Sequence, residues 1–552
     1  MSSSSFRWRS LWTAFLILAV LVSAAVAGRF YFSAGGEEVP PSAIAPTVAG
    51  DVSAGIHDFC AACHAFPPPD SFPRSSWKKE VEQGYMFFAQ STLSLQAPPI
   101  DGVVKYYEDR APRELPLAAI ERFDGPPPVR LARTKIPVLP EAADPAISNV
   151  NLVHLFDERR LDVLACDMRH GLVMALRPYA QSKRGRESFG HVATEPLKGS
   201  NQTTPDPFLI PAGWQVLGHV ANPAHAEVVD LDGDGIKDIL VANLGNFSPT
   251  DRRTGSVVWL RGRPDGSFTP IPLLEGVGRV ADVQAADFRG LGKLDLVVAV
   301  FGWRETGEVL YLENRTVDWS HPVFEPRVLD SRHGAIHVPV GDVDGDGRPD
   351  IVALISQEHE TVVAFLNDGK GGFRKETIYT APHPAYGSSG IQLVDLNGDG
   401  RLDVLYTNGD TLDQPYLLKP YHGIQWLENQ GRFRFVHHPI ATMYGVHRAV
   451  AADFQGTGRK DVVAVSFLPV EGFPHRQALD LDAVIYLEQK SPGQFVRHSL
   501  ERVTCDHVTC AAGDIYGTGR IDIVAATYRT GKADHVLTIW KNGVNESDSV
   551  TR

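Results

Sequence analysis

From residue 129 to residue 546 the chain alternates short apolar runs with breaks rich in Asp and Gly. Runs such as Gly255-Ser-Val-Val-Trp-Leu260, Glu308-Val-Leu-Tyr-Leu312, Ile351-Val-Ala-Leu-Ile355 and Ala483-Val-Ile-Tyr-Leu487 have the length and the β-branched and aromatic content of strands. An aspartate closes the break before each second run, and these aspartates recur at 162, 238, 295, 350, 403, 461 and 522. Such self-similarity is the mark of a repeat architecture. Each repeat offers one strand before the break, a second after it, a third beyond a polar loop and often a fourth, as in Phe373–Tyr379. Four strands in each of seven repeats predict an all-β seven-bladed β-propeller, the radial arrangement that leaves few sheet edges open. After the last break only two more strands fit, near 521–528 and 535–541. Val129–Ile136 precedes the first repeat and has no partner there, so it is expected to complete the seventh blade and close the ring.

Upstream the period changes. Trp77, Val81, Tyr85 and Phe88 share one helical face, and Val103, Val104, Tyr106 and Tyr107 mark a second short helix ending before Pro112. Residues 51–116 therefore read as a small all-α domain, joined to the propeller (129–546) by the proline-punctuated connector 117–128. Residues 34–50 are a linker of small residues and prolines, and 547–552 a polar tail. At the N-terminus, within 1–33, Arg7 and Arg9 precede an apolar run from Leu11 to Gly28 that contains Ala25-Val-Ala27. That pattern predicts an export signal peptide or an uncleaved apolar helix anchoring the chain in the membrane. Either places the rest in the periplasm or on the extracytoplasmic side of the membrane, with the arginines inside.

The breaks carry chemistry of their own. Asp342-x-Asp344-x-Asp346-Gly-x-x-Asp350 sets side-chain oxygens at alternate positions around a Gly turn, a donor set suited to calcium. It is equally a turn rich in Asp and Gly that needs no metal. Asp230, Asp232, Asp234 and Asp238 repeat it in full, as do Asp395, Asn397, Asp399 and Asp403. Worn copies run from Asp287 to Asp295, Asp453 to Asp461 and Asp514 to Asp522, with Arg289, Gln455 or Tyr516 at the third position. A last, barely legible copy ends at Asp162. These loops, each followed by a β run, resemble the FG-GAP (VCBS-type) repeats of integrin-α-like seven-bladed propellers, over about three-quarters of the chain. The resemblance implies calcium between the first and second strands of blades 2, 4 and 5, held by the twelve residues just named. The worn loops are expected to keep the turn and lose the metal.

Cys60-Ala-Ala-Cys63-His64 is the attachment sequence for c-type haem, with the imidazole beneath the iron. Redox C-x-x-C pairs belong to a βαβ context that is missing here, and a zinc site needs a second pair of ligands. The segment resembles a small class I-like cytochrome c domain carrying covalent haem c, with Cys60, Cys63 and His64 as its attachment residues. Met86 is the candidate sixth ligand of the haem iron and His57 the reserve. The other cysteines, Cys166, Cys505 and Cys510, read as buried thiols; on one extended strand Cys505 and Cys510 would stand too far apart to bridge.

Lys+Arg is 53 against Asp+Glu 66, a net charge of −13, which argues against a nucleic-acid partner. The chemically dense face is the one opposite the Asp loops. It carries Trp303-Arg304-Glu305, Glu358-His359-Glu360, the long Asn408–His422 connection, Tyr444, His447 and His507. Five residues before each leading Asp stand His225, Asp282, His337, Gly390, Arg448 and Thr509, a ring expected to line the central channel. Its charged members His225, Asp282, His337 and Arg448 are the candidate catalytic residues. The expected function is exported monohaem electron transfer, with the calcium-binding propeller docking a redox partner protein. The alternatives are a haem-dependent oxidoreductase acting on a small molecule or glycan fragment, and adhesion or carbohydrate binding.

Overall fold

Seven antiparallel sheets radiate from one axis. The computed structural model describes residues 52–91, 93–123, 125–139, 142–179, 213–412 and 415–543. The signal or anchor segment 1–33, the linker 34–50 and the tail 547–552 lie outside the described residues. Among the described residues no helix is long and apolar enough to cross a membrane.

Blade 1 is built from Ile147–Val153, Asp162–Asp167, Leu172–Leu176 and Trp214–His219, and blades 2 to 6 repeat that order of four neighbouring strands. First strands of successive blades touch one another and so surround the axis. Each second strand lies between two neighbouring blades, which explains why Asp238–Asn243, Asp295–Val300 and Asp350–Ile355 are buried at every position. The cores are accordingly shared between blades: Leu240 and Trp259 of blade 2 pack with Val283, Val298 and Leu310 of blade 3. Blade 7 has three strands of its own, and its fourth place is taken by Leu131–Pro137. That strand pairs antiparallel with His535–Asn542, from Leu131 opposite Asn542 to Pro137 opposite His535. The ring is closed by backbone hydrogen bonds between its two ends, as the sequence led one to expect.

Blade 4 departs from the pattern. Its first strand is split into Ala335–His337 and Val340–Gly341, both paired with Asp350–Ile355. Pro339 has no N–H to give to a ladder, and the neighbouring Val338 N–H instead donates to the Asp282 carboxylate at 2.9 Å.

Among the described residues three α-helices precede the ring: α1 (Val52–Cys60), α2 (Trp77–Gln90) and α3 (Ile100–Arg110). Trp77 stacks on Tyr107 at 3.9 Å, and Ile56, Val81 and Val103 complete a small core. This unit does not hang free. Tyr421 Oη donates to the Ser71 carbonyl at 3.1 Å, Arg304 lies over the Phe87 ring at 4.7 Å, and Lys419 over Phe72 at 5.8 Å. The connector is docked as well. Ala118 N donates to Tyr444 Oη at 2.6 Å, Arg122 pairs with the buried Asp482 at 3.1 Å, and Phe123 N donates to the Arg497 carbonyl. Its apolar residues Ala118 and Ile120 pack against Leu468, Phe473 and Leu481.

Candidate functional site

Three groups of residues concentrate chemistry. Two lie on the face where second strands lead into third strands, and the third lies on the opposite face.

Cys60 ends α1, and Cys63 and His64 follow in the turn. Both thiols are free. Burial pushes the Cys60 thiol up, with Tyr107 offsetting only part of it, and burial followed by the charge of Glu358 pushes Cys63 up. Redox-active and metal-binding cysteines need the opposite, a stabilised thiolate. His64 Nδ1 lies 2.8 Å from the Ala65 carbonyl, so the ring's N–H is directed there and Nε2 is left with its lone pair. That is how metal-ligating imidazoles are normally oriented. The Tyr107 hydroxyl is buried beside Cys60 and interacts with its thiol. Two protonated thiols and one aimed imidazole are the donor set that a covalently held haem would need. Met86 is 42 % exposed on α2, and His57 stacks on Phe66 at 4.5 Å.

The channel ring predicted from spacing is brought together. His225 Nδ1 lies 2.8 Å from Asp282, and His337 Nδ1 lies 3.8 Å from the other carboxylate oxygen. All three occupy the start of a first strand, each at a register shift in its pairing with the second strand. Burial would raise the Asp282 carboxyl, yet His225 and His337 together hold it well below the usual range. Burial would lower His225, but Asp282 outweighs it and the net shift is upward. For His337 burial wins and the shift is downward. Asp282 thus favours the protonated form of His225, while burial favours the neutral form of His337. Arg448 Nη1 is buried without a partner, and Gly390 makes space for that side chain: a Cβ there would meet Arg448 Cδ at 3.4 Å. Thr509 is turned to structure, its hydroxyl accepting Val150 N–H. A cavity of about 400 Å³ along the axis is lined by Asn151, His225, Glu227, Gln284, Gln392 and Arg448.

The remaining residues of that face separate into structural and free groups. Glu360 turns inward, fully buried, where it accepts Gly387 and Ser388 N–H and is pushed up to about 8 by burial. His507 is bonded to Ala526 and Glu501. Asp251 gathers the Trp303, Arg304, Glu305 and Thr306 amides. Buried His447 is lowered to about 4. His422 is buried with neither ring nitrogen bonded, while Asp413 and Gln414 of the same connection fall outside the described residues. Cys166, Cys505 and Cys510 are buried and free, with Cys505 and Cys510 pushed up to about 12 by burial. Cys505 is not on a strand with Cys510; it sits in a turn at φ 46°. Glu358 and His359 meet His333, a residue whose place in the connection between blades 3 and 4 gives no local sequence signal.

On the opposite face the Asp loops follow one plan. The leading aspartate accepts turn amides: Asp342 takes Gly345 N–H and Gly347 N–H, both at 2.8 Å. Gly345 and Gly347 have φ of 83° and 84°, and the paired glycines of the other five such loops share that left-handed region. The closing aspartate is buried and joins the loop to the end of the third strand, Asp350 accepting Val343 and Asn367 N–H at 3.0 and 2.8 Å. Ligand atoms of Asp230, Asp232 and Asp234 converge within 4.8 Å, as do those of Asp342, Asp344 and Asp350. Asp230 Oδ1 is buried without a partner, as a cation site would leave it. In blade 5, Asp399 pairs with Arg401 and Asn397 donates to Asp399 at 3.0 Å.

The FG-GAP-like repeat family matches residues 230–298 and 324–406. Cartilage acidic protein 1 of Mus musculus is 25% identical over 250 residues, 42% of this chain and 37% of that protein. The Homo sapiens protein of the same name is 24% identical over 241 residues, 41% of this chain and 35% of that protein. The match thus spans little more than a third of the length of these relatives. Among solved structures, BBS1N, crystallised in complex with ARL6DN, covers 75% of this chain and 98% of its own at 11% identity and a TM-score of 0.42. The FG-GAP-like match thus falls on blades 2 to 5 of a ring of seven sheets.

Proposed function

We propose that the chain is an exported c-type monohaem electron-transfer protein whose FG-GAP propeller docks the redox partner. The observation that carries the reading is the orientation of His64, its Nδ1 turned to the Ala65 carbonyl, at the spacing of Cys60 and Cys63. Cys60, Cys63 and His64 would hold the haem, with Met86 or His57 as the candidate further ligand. When bound, the group supplies one-electron chemistry between ferric and ferrous iron. The chain's own contribution is positional: the docking contacts of Ser71, Phe72 and Phe87 fix the attachment segment on the polar face of blades 3 to 5. Calcium would be held by the full Asp loops of blades 2, 4 and 5. Export through residues 1–33, to the periplasm or to the membrane's outer side, belongs to the same reading.

The test is a reduced-minus-oxidised visible spectrum of protein made with haem-attachment machinery, with a haem stain on a denaturing gel. A covalent chromophore lost in Cys60→Ala and Cys63→Ala is expected, and colourless protein ends the reading. A near-infrared sulfur-to-iron band lost in Met86→Ala assigns the sixth ligand.

A second reading is favoured by the unpartnered Arg448 guanidinium beside His225 in the axial cavity. There a small anionic or glycan-derived molecule would bind, with neutral His337 accepting a proton. Reduction of the haem by such a compound, lost in His337→Ala, distinguishes an oxidoreductase from a carrier. Adhesion, the third reading, needs only the propeller.

A further inference from the structure

Outside the channel and the Asp loops, one cluster of donor side chains serves no purpose described so far. We propose that His333, Glu358 and His359 form a site for one divalent transition-metal ion, of which zinc is the probe.

The geometry is that of a preformed site. One ligand atom from each of the three residues lies within 4.8 Å of the others. His333 Nε2 is 3.0 Å from Glu358 Oε2, and the His333 and His359 rings are 5.1 Å apart. Two imidazoles and one carboxylate suit zinc or iron(II) and are the wrong set for calcium, which takes oxygens. Three protein ligands leave a tetrahedral ion with a position for water or substrate.

A further observation points the same way. Gln357 and Glu360 flank the pair Glu358-His359 with φ of 58° and 40°. Non-glycine residues in that region are strained and persist where the surroundings enforce them. Here the buried Glu360 anchors one side of the turn, so that Glu358 and His359 are held outward against His333. All three ligands belong to the propeller, so the proposal stands apart from the haem reading.

The experiment is zinc titration calorimetry on the full chain in excess calcium, followed by zinc-edge X-ray absorption, where haem iron does not interfere. One zinc per chain with imidazole scattering is expected, and affinity should fall at least about tenfold in His359→Ala and in the near-isosteric Glu358→Gln. Unchanged circular dichroism and calcium binding establish that each variant is folded. If His359→Ala does not fold, Glu358→Gln carries the test. No zinc isotherm with wild-type protein, or equal affinity in a folded variant, overturns the proposal and leaves His333–Glu358 as a contact between blades.

Discussion

The Asp loops of blades 3 and 4 make the same turn by different means. Both leading aspartates accept turn amides, Asp287 from Leu291 and Gly292, Asp342 from Gly345 and Gly347. Both closing aspartates are buried, and both accept the amide at the end of the third strand, from Asn314 and Asn367. What differs lies between. In blade 4 the intermediate positions are Asp344 and Asp346, whereas in blade 3 they are Arg289 and Leu291. The Arg289 guanidinium reaches Asp295 at 2.9 and 2.8 Å and Glu313 at 2.5 Å. A side-chain cation stands where the full loop would recruit one from solution. In blade 6 Gln455 does the same job without charge, donating to Asp461 at 3.2 and 3.0 Å. The outer aspartates thus hold the turn in each of these loops, and the inner positions differ: two carboxylates in blade 4, a guanidinium in blade 3 and a neutral amide in blade 6.

The largest break in that comparison is Asp295→Ala. It orphans the Asn314 amide and leaves Arg289, at 12% side-chain exposure, with Glu313 as its one carboxylate and the Asn314 carbonyl beside it. Removing one partner of a buried pair costs about 3–5 kcal/mol. Asp350→Ala orphans two amides but no cation and should cost less, about 2–4 kcal/mol. Denaturant midpoints at unchanged slope measure both, and the order should reverse if Arg289 is not the blade 3 counter-ion.

The double substitution Arg289→Asp with Leu291→Asp sharpens it, since it restores the full aspartate pattern between Asp287 and Asp295. Without calcium the variant should be destabilised by about 2 kcal/mol through gathered like charge. With calcium at about a hundred times its dissociation constant it should regain roughly 2.7 kcal/mol. Chelator should therefore lower its melting temperature further than that of wild type. An equal response in the two proteins would mean that the worn loop cannot be returned to metal binding.

Much of the ring was legible because its devices are local. A left-handed glycine pair, a closing aspartate and an apolar strand fall at fixed offsets, so Gly345, Gly347 and Asp350 announce themselves in sequence. Ring closure was legible from a deficit, a three-stranded last blade and an unpaired Leu131–Pro137. The channel residues His225, Asp282 and His337 were found because the repeat places equivalent positions around one axis. What escaped depends on contacts between distant segments. His333 stands 25 residues from Glu358 on a different connection, and nothing in either stretch encodes their meeting. Arg261, which pairs with Asp232 at 2.5 Å, comes from the third strand of blade 2 rather than from its loop. Nor could the docking of 117–128 be read, because Ala118, Ile120 and Arg122 show no periodicity, and their partners Tyr444, Leu468 and Asp482 lie in the fifth-to-sixth-blade connection and blade 6.

A smaller effect follows from acidity. Burial, then the neighbouring carboxylates, raises Asp350 and Asp403 from 3.8 to about 6. A carboxyl raised in the fold stabilises it when protonated, so its contribution is complete below about pH 4 and is lost as pH rises through 6. Calcium-free protein should thus lose stability between pH 4 and 6 and stay lower above. A bound cation favours the carboxylate and should flatten the fall. Melting temperatures against pH, with calcium and with chelator, should converge near pH 4 and part above 6; curves that remain parallel would remove Asp350 and Asp403 from the metal site.

The smallest effect concerns the arginine that stands beside a full loop. Arg348 pairs with Asp346 while its Nε donates to the Asn367 carbonyl at 2.8 Å, and its side chain is 45% exposed. An exposed pair of this kind is worth about 0–1 kcal/mol, so Arg348→Ala should scarcely move the calcium-free stability. Its effect on the metal should be larger and opposite in sign. Asp346 cannot satisfy a guanidinium and a calcium ion with the same oxygen, so removing the competitor should tighten calcium binding by severalfold. Calorimetric titration at low salt, where surface charges are least screened, reads the change. Weaker binding in the variant would mean that Arg348 positions Asp346 for the ion instead of competing with it, and that blade 4 keeps its guanidinium in addition to calcium where blade 3 relies on the guanidinium alone.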